Sequence, residues 1–146
     1  MKPVSVRNLR VKGFTLIELL VVIAIIGLLV TAAVASFSYV RERARDTKRV
    51  SDMKTMQKAL EMYLTTNSRY PIAAADTCLT NADVISQAVK NAGAMIEVPV
   101  DPYAPWVADP TYCYLYKQND GTDFQIVFTL ERTSPVGQAG PHVVGP

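Results

Sequence analysis

Gly13-Phe14-Thr15-Leu16-Ile17-Glu18-Leu19-Leu20 opens a run that continues Val21-Val22-Ile23-Ala24-Ile25-Ile26-Gly27-Leu28-Leu29-Val30-Thr31-Ala32-Ala33-Val34 and contains one charged side chain, Glu18. As a helix, residues 14–34 are long enough to cross a hydrocarbon core of about 30 Å at about 1.5 Å per residue. A carboxylate in such a segment is costly to insert, so Glu18 calls for a partner or a task. Its place only about 6 Å into the helix lets it reach back toward the interface, which lowers that cost.

Ahead of the run stands a basic, polar stretch with Lys2, Arg7, Arg10 and Lys12. From Lys12 to Leu20 the sequence Lys-Gly-Phe-Thr-Leu-Ile-Glu-Leu-Leu strongly resembles the processing motif of the type IV pilin and type II secretion pseudopilin family. In that family a prepilin peptidase cuts after the glycine and methylates the new terminus. The resemblance implies cleavage between Gly13 and Phe14, N-methylation of Phe14, and an assembly role for Glu18. It also implies a single-pass precursor in the cytoplasmic membrane with its N-terminus in the cytoplasm and its head outside. Many pilins carry a proline about twenty residues into the mature helix. This chain has Ala35 in that neighbourhood, so local melting there is not implied.

Two other readings stay open on the residues alone. Ala33-Val34-Ala35 has the A-x-A form of an ordinary signal-peptidase site, although an h-region normally has about 7–15 residues and no carboxylate. A plain membrane anchor is the other. Charge does not orient the span, because four Lys/Arg precede it and five, Arg41, Arg43, Arg45, Lys48 and Arg49, follow it within fifteen residues.

The 146 residues leave room for one modest domain beyond the span, and the net charge of +2 conceals a division. Residues 1–69 carry twelve Lys/Arg against five Asp/Glu, and residues 70–146 carry three against eight. A basic stalk and an acidic head suit a filament subunit. The two cysteines, Cys78 and Cys113, follow the span, and an oxidising compartment would join them in a disulfide; two unpaired buried thiols are the alternative. Zinc is disfavoured, since the one histidine is His142, in a Gly/Pro-rich stretch.

No proline occurs between Pro3 and Pro71, which predicts one helix from Phe14 to Thr66. Val40, Ala44, Thr47, Val50, Met53, Met56, Leu60, Tyr63 and Leu64 recur at spacings of three or four and mark one face. On the other face Glu42 with Arg45, Asp46 with Arg49 and Lys48 with Asp52 are placed to pair along the surface. Thr65-Thr66-Asn67-Ser68 with Pro71 signals the exit. Thr80-Asn81-Ala82-Asp83 reads as a capping box before a short amphipathic helix that Gly93 ends. Val98 to Trp106 is too proline-rich for a central strand and is expected as a loop. Tyr112 to Lys117 and Phe124 to Leu130 alternate as two strands around an Asn119-Asp120-Gly121 turn. The hairpin needs a cover, and the Met53 to Leu64 stripe is the candidate. Residues 132–146 are expected as a flexible tail.

The expected fold is therefore α+β and pilin-like, a long N-terminal transmembrane and stalk helix packed on a small C-terminal antiparallel sheet. Its segments are a leader (1–13), a membrane and filament-core helix (14–34), an amphipathic stalk (35–66), an extracytoplasmic head (67–131) and the tail.

No residues form a recognisable catalytic constellation, so no enzymatic activity and no catalytic residue is expected. Asn119, Asp120 and Asp123 are candidate oxygen ligands for calcium, with Asp101 and Asp109 as additions, but turn chemistry accounts for them without a metal. Arg41, Arg43, Arg45, Lys48, Arg49, Lys54 and Lys58 are read first as a solvated or subunit-contacting face, diluted by Glu42, Asp46 and Asp52, with anionic lipid and DNA as alternatives. The resemblance implies a structural subunit of a type IV pilus-like filament. Its partners would be further copies of the chain, the prepilin peptidase, a membrane assembly platform and, before assembly, the bilayer. A type II secretion pseudopilin, or a minor pilin-like module binding DNA or surfaces, is the alternative.

Overall fold

The computed structural model describes residues 13–103 and 110–146. The expectations that concern residues 1–12, Pro105, Trp106 and Asp109 lie outside the described residues. The chain divides into two units, Met1–Ser38 and Tyr39–Pro146.

In the first unit, helix α1 (Leu16–Asn67) begins two residues before Glu18, which lies in its first turn, and continues unbroken past residue 35. Its apolar side chains are solvent-facing throughout, from Leu16 and Ile17 to Val34. An apolar helix surface of this length with nothing on it calls for lipid or other helices. α1 is the one helix among the described residues long and apolar enough to span a membrane.

In the second unit, the same helix lays Met53, Met56, Ala59 and Leu60 against a four-stranded antiparallel sheet. The strands are β1 (Thr77–Cys78), β2 (Leu115–Asn119), β3 (Asp123–Leu130) and β4 (Gly140–Val144), in that spatial order. Strand β3 buries Phe124, Ile126, Phe128 and Leu130, the alternation expected of a half-buried strand. The tyrosines Tyr114 and Tyr116 add the most volume from the β2 side; Tyr116 stacks on Phe124, and Tyr70 meets Phe124 edge-on. The hairpin cover expected from the Met53 to Leu64 stripe is thus present, with Tyr63 and Leu64 packed at its margin.

Helix α2 (Val84–Asn91) closes the core with Ile85 and Val89. Its N-cap is Asp83 rather than Thr80, as the carboxylate accepts from the Ser86 N–H while also taking the Thr80 N–H at 2.7 Å. Gly93, at φ +70°, follows the helix in the left-handed conformation that glycine adopts without penalty. The β2–β3 turn puts Asp120 and Gly121 both at positive φ (50° and 84°), as a tight hairpin turn requires.

Three expectations need correction. The stretch 132–146 is not a free tail: β4 pairs with β3 from Ile126↔Val144 to Leu130↔Gly140. Pro141 is tolerated because β4 is an edge strand, where a missing donor leaves no ladder bond unmade. Tyr112 lies in a 3-10 turn, Pro110–Tyr112, and not in the first hairpin strand, which starts at Leu115. The apolar stripe begins at Val50 rather than Val40: Val40, Ala44 and Thr47 are exposed, and charged residues hold the inner positions there.

Cys78 and Cys113 are joined in a disulfide with Cα atoms 5.8 Å apart, spanning 35 residues. It fastens the two-residue strand β1, too short to hold by its own hydrogen bonds, to the approach of β2. Chain entropy assigns a loop of this length about 3–4 kcal/mol. Cys78→Ser is expected to lower the thermal midpoint of the head by more than about 10 °C, read by circular dichroism against wild type under non-reducing conditions. An unchanged midpoint would show that the bridge contributes little.

Candidate functional site

Two places concentrate chemistry, one in each unit. In the first, Phe14 is 75% exposed just before α1, and Gly13 has open space around its α-carbon. Thr15 caps the helix. Its hydroxyl accepts the Glu18 N–H at 3.3 Å, and the Glu18 carboxylate accepts the Thr15 N–H at 2.9 Å and the Thr15 hydroxyl at 2.7 Å. This is a reciprocal capping box, Thr-x-x-Glu, and it satisfies donors that the first turn of any helix leaves unpaired. The carboxylate that the apolar run makes conspicuous therefore has a local partner. Thr15 was legible as that partner from the T-x-x-E spacing, and the sequence reading missed it.

In the second unit the charged residues of α1 face inward. Arg49 is fully buried. Its guanidinium donates from Nε and one terminal nitrogen to the two Asp101 oxygens (2.7 and 3.0 Å), and from the other terminal nitrogen to Asp46 (2.8 Å) and Glu131 (2.6 Å). The fork on Asp101 is the bidentate geometry that only arginine offers. Glu131 also accepts from Arg45 Nε at 2.7 Å. Asp46 accepts the backbone N–H groups of Glu131 and Arg132 (3.0 and 3.1 Å), so it seals the end of β3. Tyr103, whose N–H is held by Asp101 at 2.8 Å, offers its ring to Arg45 at 4.6 Å. A turn further on, Asp52 accepts the Tyr114 hydroxyl at 2.9 Å and pairs with Lys48 at 3.3 Å.

The expected surface stretch is corrected at Arg45, Asp46, Arg49 and Asp52, which face inward, whereas Arg41, Arg43, Lys48, Lys54 and Lys58 are exposed as expected. Asp46 and Arg49 do pair, but in the interior; Arg45 pairs with Glu131 and not with Glu42, which pairs with Arg132. Among the described residues no buried side-chain nitrogen or oxygen lacks a partner, which is the condition under which buried charge is tolerable. Burial alone would raise the Glu131 carboxyl, and hydrogen bonds from Arg45 and Arg49 more than reverse it, holding it below the usual glutamate range. Burial works against the Arg49 charge too, and the bonds to Asp101, Glu131 and Asp46 outweigh it, so its pKa rises. Desolvation, then the Asp52 charge, pushes the Tyr114 hydroxyl up.

The lowered Glu131 value sets a sign. A carboxyl with a folded pKa below its unfolded value of about 4.3 stabilises the fold above that pH, and the contribution is lost as pH falls through the folded value. Asp83, lowered by its Ser86 and Thr80 hydrogen bonds against the effect of burial, acts in the same direction. The thermal midpoint of the head is expected to be flat from neutrality to about pH 5 and to fall steeply below about pH 4. A midpoint independent of pH across that window would remove the network from the stability of the head.

Of the calcium candidates, Asp120 accepts the Thr122 hydroxyl at 2.9 Å and Asp123 accepts the Phe124 N–H at 2.7 Å. Among the described residues no group of three or more His, Cys, Asp or Glu converges as metal ligands do.

Residues 8–34 match the family model of the prokaryotic N-terminal methylation motif. The type II secretion system core protein G of Vibrio cholerae is 34% identical over 133 residues, covering 88% of this chain and 85% of that protein. The chain belongs to the pilin and pseudopilin family. Other members match over a shorter stretch: core protein G of Pectobacterium carotovorum is 44% identical over 62 residues, and the type IV major pilin protein PilA of Myxococcus xanthus 36% over 67. These matches span 40% and 30% of the two relatives' lengths. No solved structure matches this pilin-family chain.

Proposed function

We propose that the chain is a structural subunit of a type IV pilus-like filament, matured by cleavage between Gly13 and Phe14 and N-methylation at Phe14. The observation that carries this reading is the exposed apolar part of α1, residues 16–34, whose single carboxylate, Glu18, sits in the first turn within the methylation motif. Before assembly the apolar half of α1 anchors the precursor in the inner membrane with the head outside. In the filament the same surface is covered by the equivalent helices of other copies, exchanging lipid for protein.

Glu18 then gains a second role. The positive amine of Phe14 on a neighbouring copy is a counter-charge for it in a medium of low dielectric, where a lone carboxylate is unfavourable. The pair forms only when the helices are in register, so electrostatics selects the register. The partners of this reading are further copies of the chain, a prepilin peptidase and a membrane assembly platform.

A second reading, the pseudopilin of a type II secretion system, is favoured by the nearly full-length match to the Vibrio protein. The test for both is imaging of native filaments with intact mass of their main protein. A mass beginning at methylated Phe14 is expected, and Gly13→Leu should leave unprocessed precursor in the membrane. A mature terminus at Ser36 would establish the signal-peptide alternative. Long surface filaments built of this chain support the pilus; lost export of folded proteins on deletion, without such filaments, supports the pseudopilus.

A further inference from the structure

Once Arg45, Arg49, Asp46 and Asp52 turn inward and Glu42 is taken by Arg132, the outer face of α1 in the second unit changes character. Arg43, Lys54 and Lys58 are exposed, and none has an ion-pair partner among the described residues. Eleven residues separate Arg43 from Lys54, three helical turns, and Lys58 is one turn further, so the three cations form a stripe about 22 Å long. Thr47 and Ser51, both small and exposed, lie between them and leave the stripe open. Asp46 and Asp52, two of the carboxylates that would neutralise it in the sequence, are buried, and exposed Glu61 stands at its far end, three residues beyond Lys58.

Two further carboxylates stand close together on another element. Asp120 is exposed and Asp123 half-buried at the β2–β3 turn, where neither has a cationic partner among the described residues. The turn is a tight one, with Asp120 and Gly121 at positive φ, and it brings the two carboxylates within four residues at the end of the hairpin. One copy therefore carries a cationic helix face and an anionic turn on different elements. Complementary patches on different parts of the same chain make a heterologous contact, the kind that propagates into an open helix rather than closing on itself.

We propose that the Arg43, Lys54 and Lys58 stripe of one copy is the docking surface for the Asp120 and Asp123 turn of a second copy. This rests on the filament reading and assigns its head-to-stalk contact. Rim charges of this kind steer encounter and fix register more than they add affinity, so the contact is sensitive to salt.

The experiment is a charge swap in the full chain expressed with its native processing and assembly machinery. Lys54→Glu with Lys58→Glu, and separately Asp120→Lys with Asp123→Lys, are each expected to cut sheared filament yield by about tenfold or more, since like-charge contacts across an interface cost several kcal/mol. The fourfold swap is expected to restore it. Wild-type yield from either double variant, or no rescue by the swap when all variants keep the wild-type melting temperature, overturns the proposal. A double lysine variant that assembles normally but no longer retains fluorescent double-stranded DNA assigns the stripe to nucleic acid instead, and also overturns it. If the wild-type chain assembles nothing, the filament reading falls by itself. The pairing is then read from carbodiimide crosslinking of mixed light and heavy isotope-labelled full chain in detergent: light–heavy links from Lys54 or Lys58 to Asp120 or Asp123 support it, and their absence overturns it.

Discussion

Arg49→Leu is expected to leave the head largely unfolded near body temperature. Removing the guanidinium strands Asp101, which among the described residues then keeps only the Tyr103 N–H, and removes one of the two arginines seen on Glu131. Breaking a buried ion pair by deleting one partner costs about 3–5 kcal/mol, a large part of the 5–15 kcal/mol that small domains possess. At about 4–8 °C per kcal/mol the thermal midpoint should fall by more than about 12 °C. Arg49→Lys is the informative control. Lysine keeps the charge and reaches one carboxylate, but it lacks the fork that holds both Asp101 oxygens, so an intermediate loss is expected. If Arg49→Leu melts within a few degrees of wild type in calorimetry, the network is dispensable for stability.

Glu18→Leu has its effect at a different stage. The span becomes uniformly apolar, so membrane insertion should be at least as efficient as in wild type. Filament yield should nevertheless collapse, because the neighbour's Phe14 amine loses its counter-charge and the helices lose the contact that selects register. Glu18→Gln separates the two roles of the side chain. It retains an oxygen to accept from Thr15 and so keeps the helix cap, but it carries no charge for the amine. Normal filaments from Glu18→Gln would place the importance of this residue in capping rather than in assembly. Normal filaments from Glu18→Leu would end both arguments.

What the sequence disclosed follows the range over which each interaction acts. The apolar run, the exit of α1 at Asn67, the Asp120-Gly121 turn and the alternation of Phe124, Ile126, Phe128 and Leu130 are local, set by spacing within a few residues. The interior of α1 between Asp46 and Asp52 was not legible, because periodicity assigns charged residues to water and the partners that make burial tolerable lie far along the chain. Strand β4 escaped for a related reason. Gly140-Pro141-His142 has the composition of a loop, and only the ladder to β3 gives it extended structure. At the N-terminus the error ran the other way: the motif drew attention to Glu18 as an assembly residue and away from Thr15, three positions before it.

The reach of Arg49 carries a kinetic consequence. Its partners Asp101 and Glu131 stand 52 and 82 residues downstream, so the node forms only after large loops have closed. The β2–β3 hairpin is local and can form early, and oxidation of Cys78 with Cys113 encloses Asp101 in a covalent loop that shortens the search for the helix. High contact order slows folding, and one guanidinium shared by three segments couples the docking of each to the others. Refolding of the oxidised head is therefore expected to be faster than that of the reduced head, read by stopped-flow fluorescence.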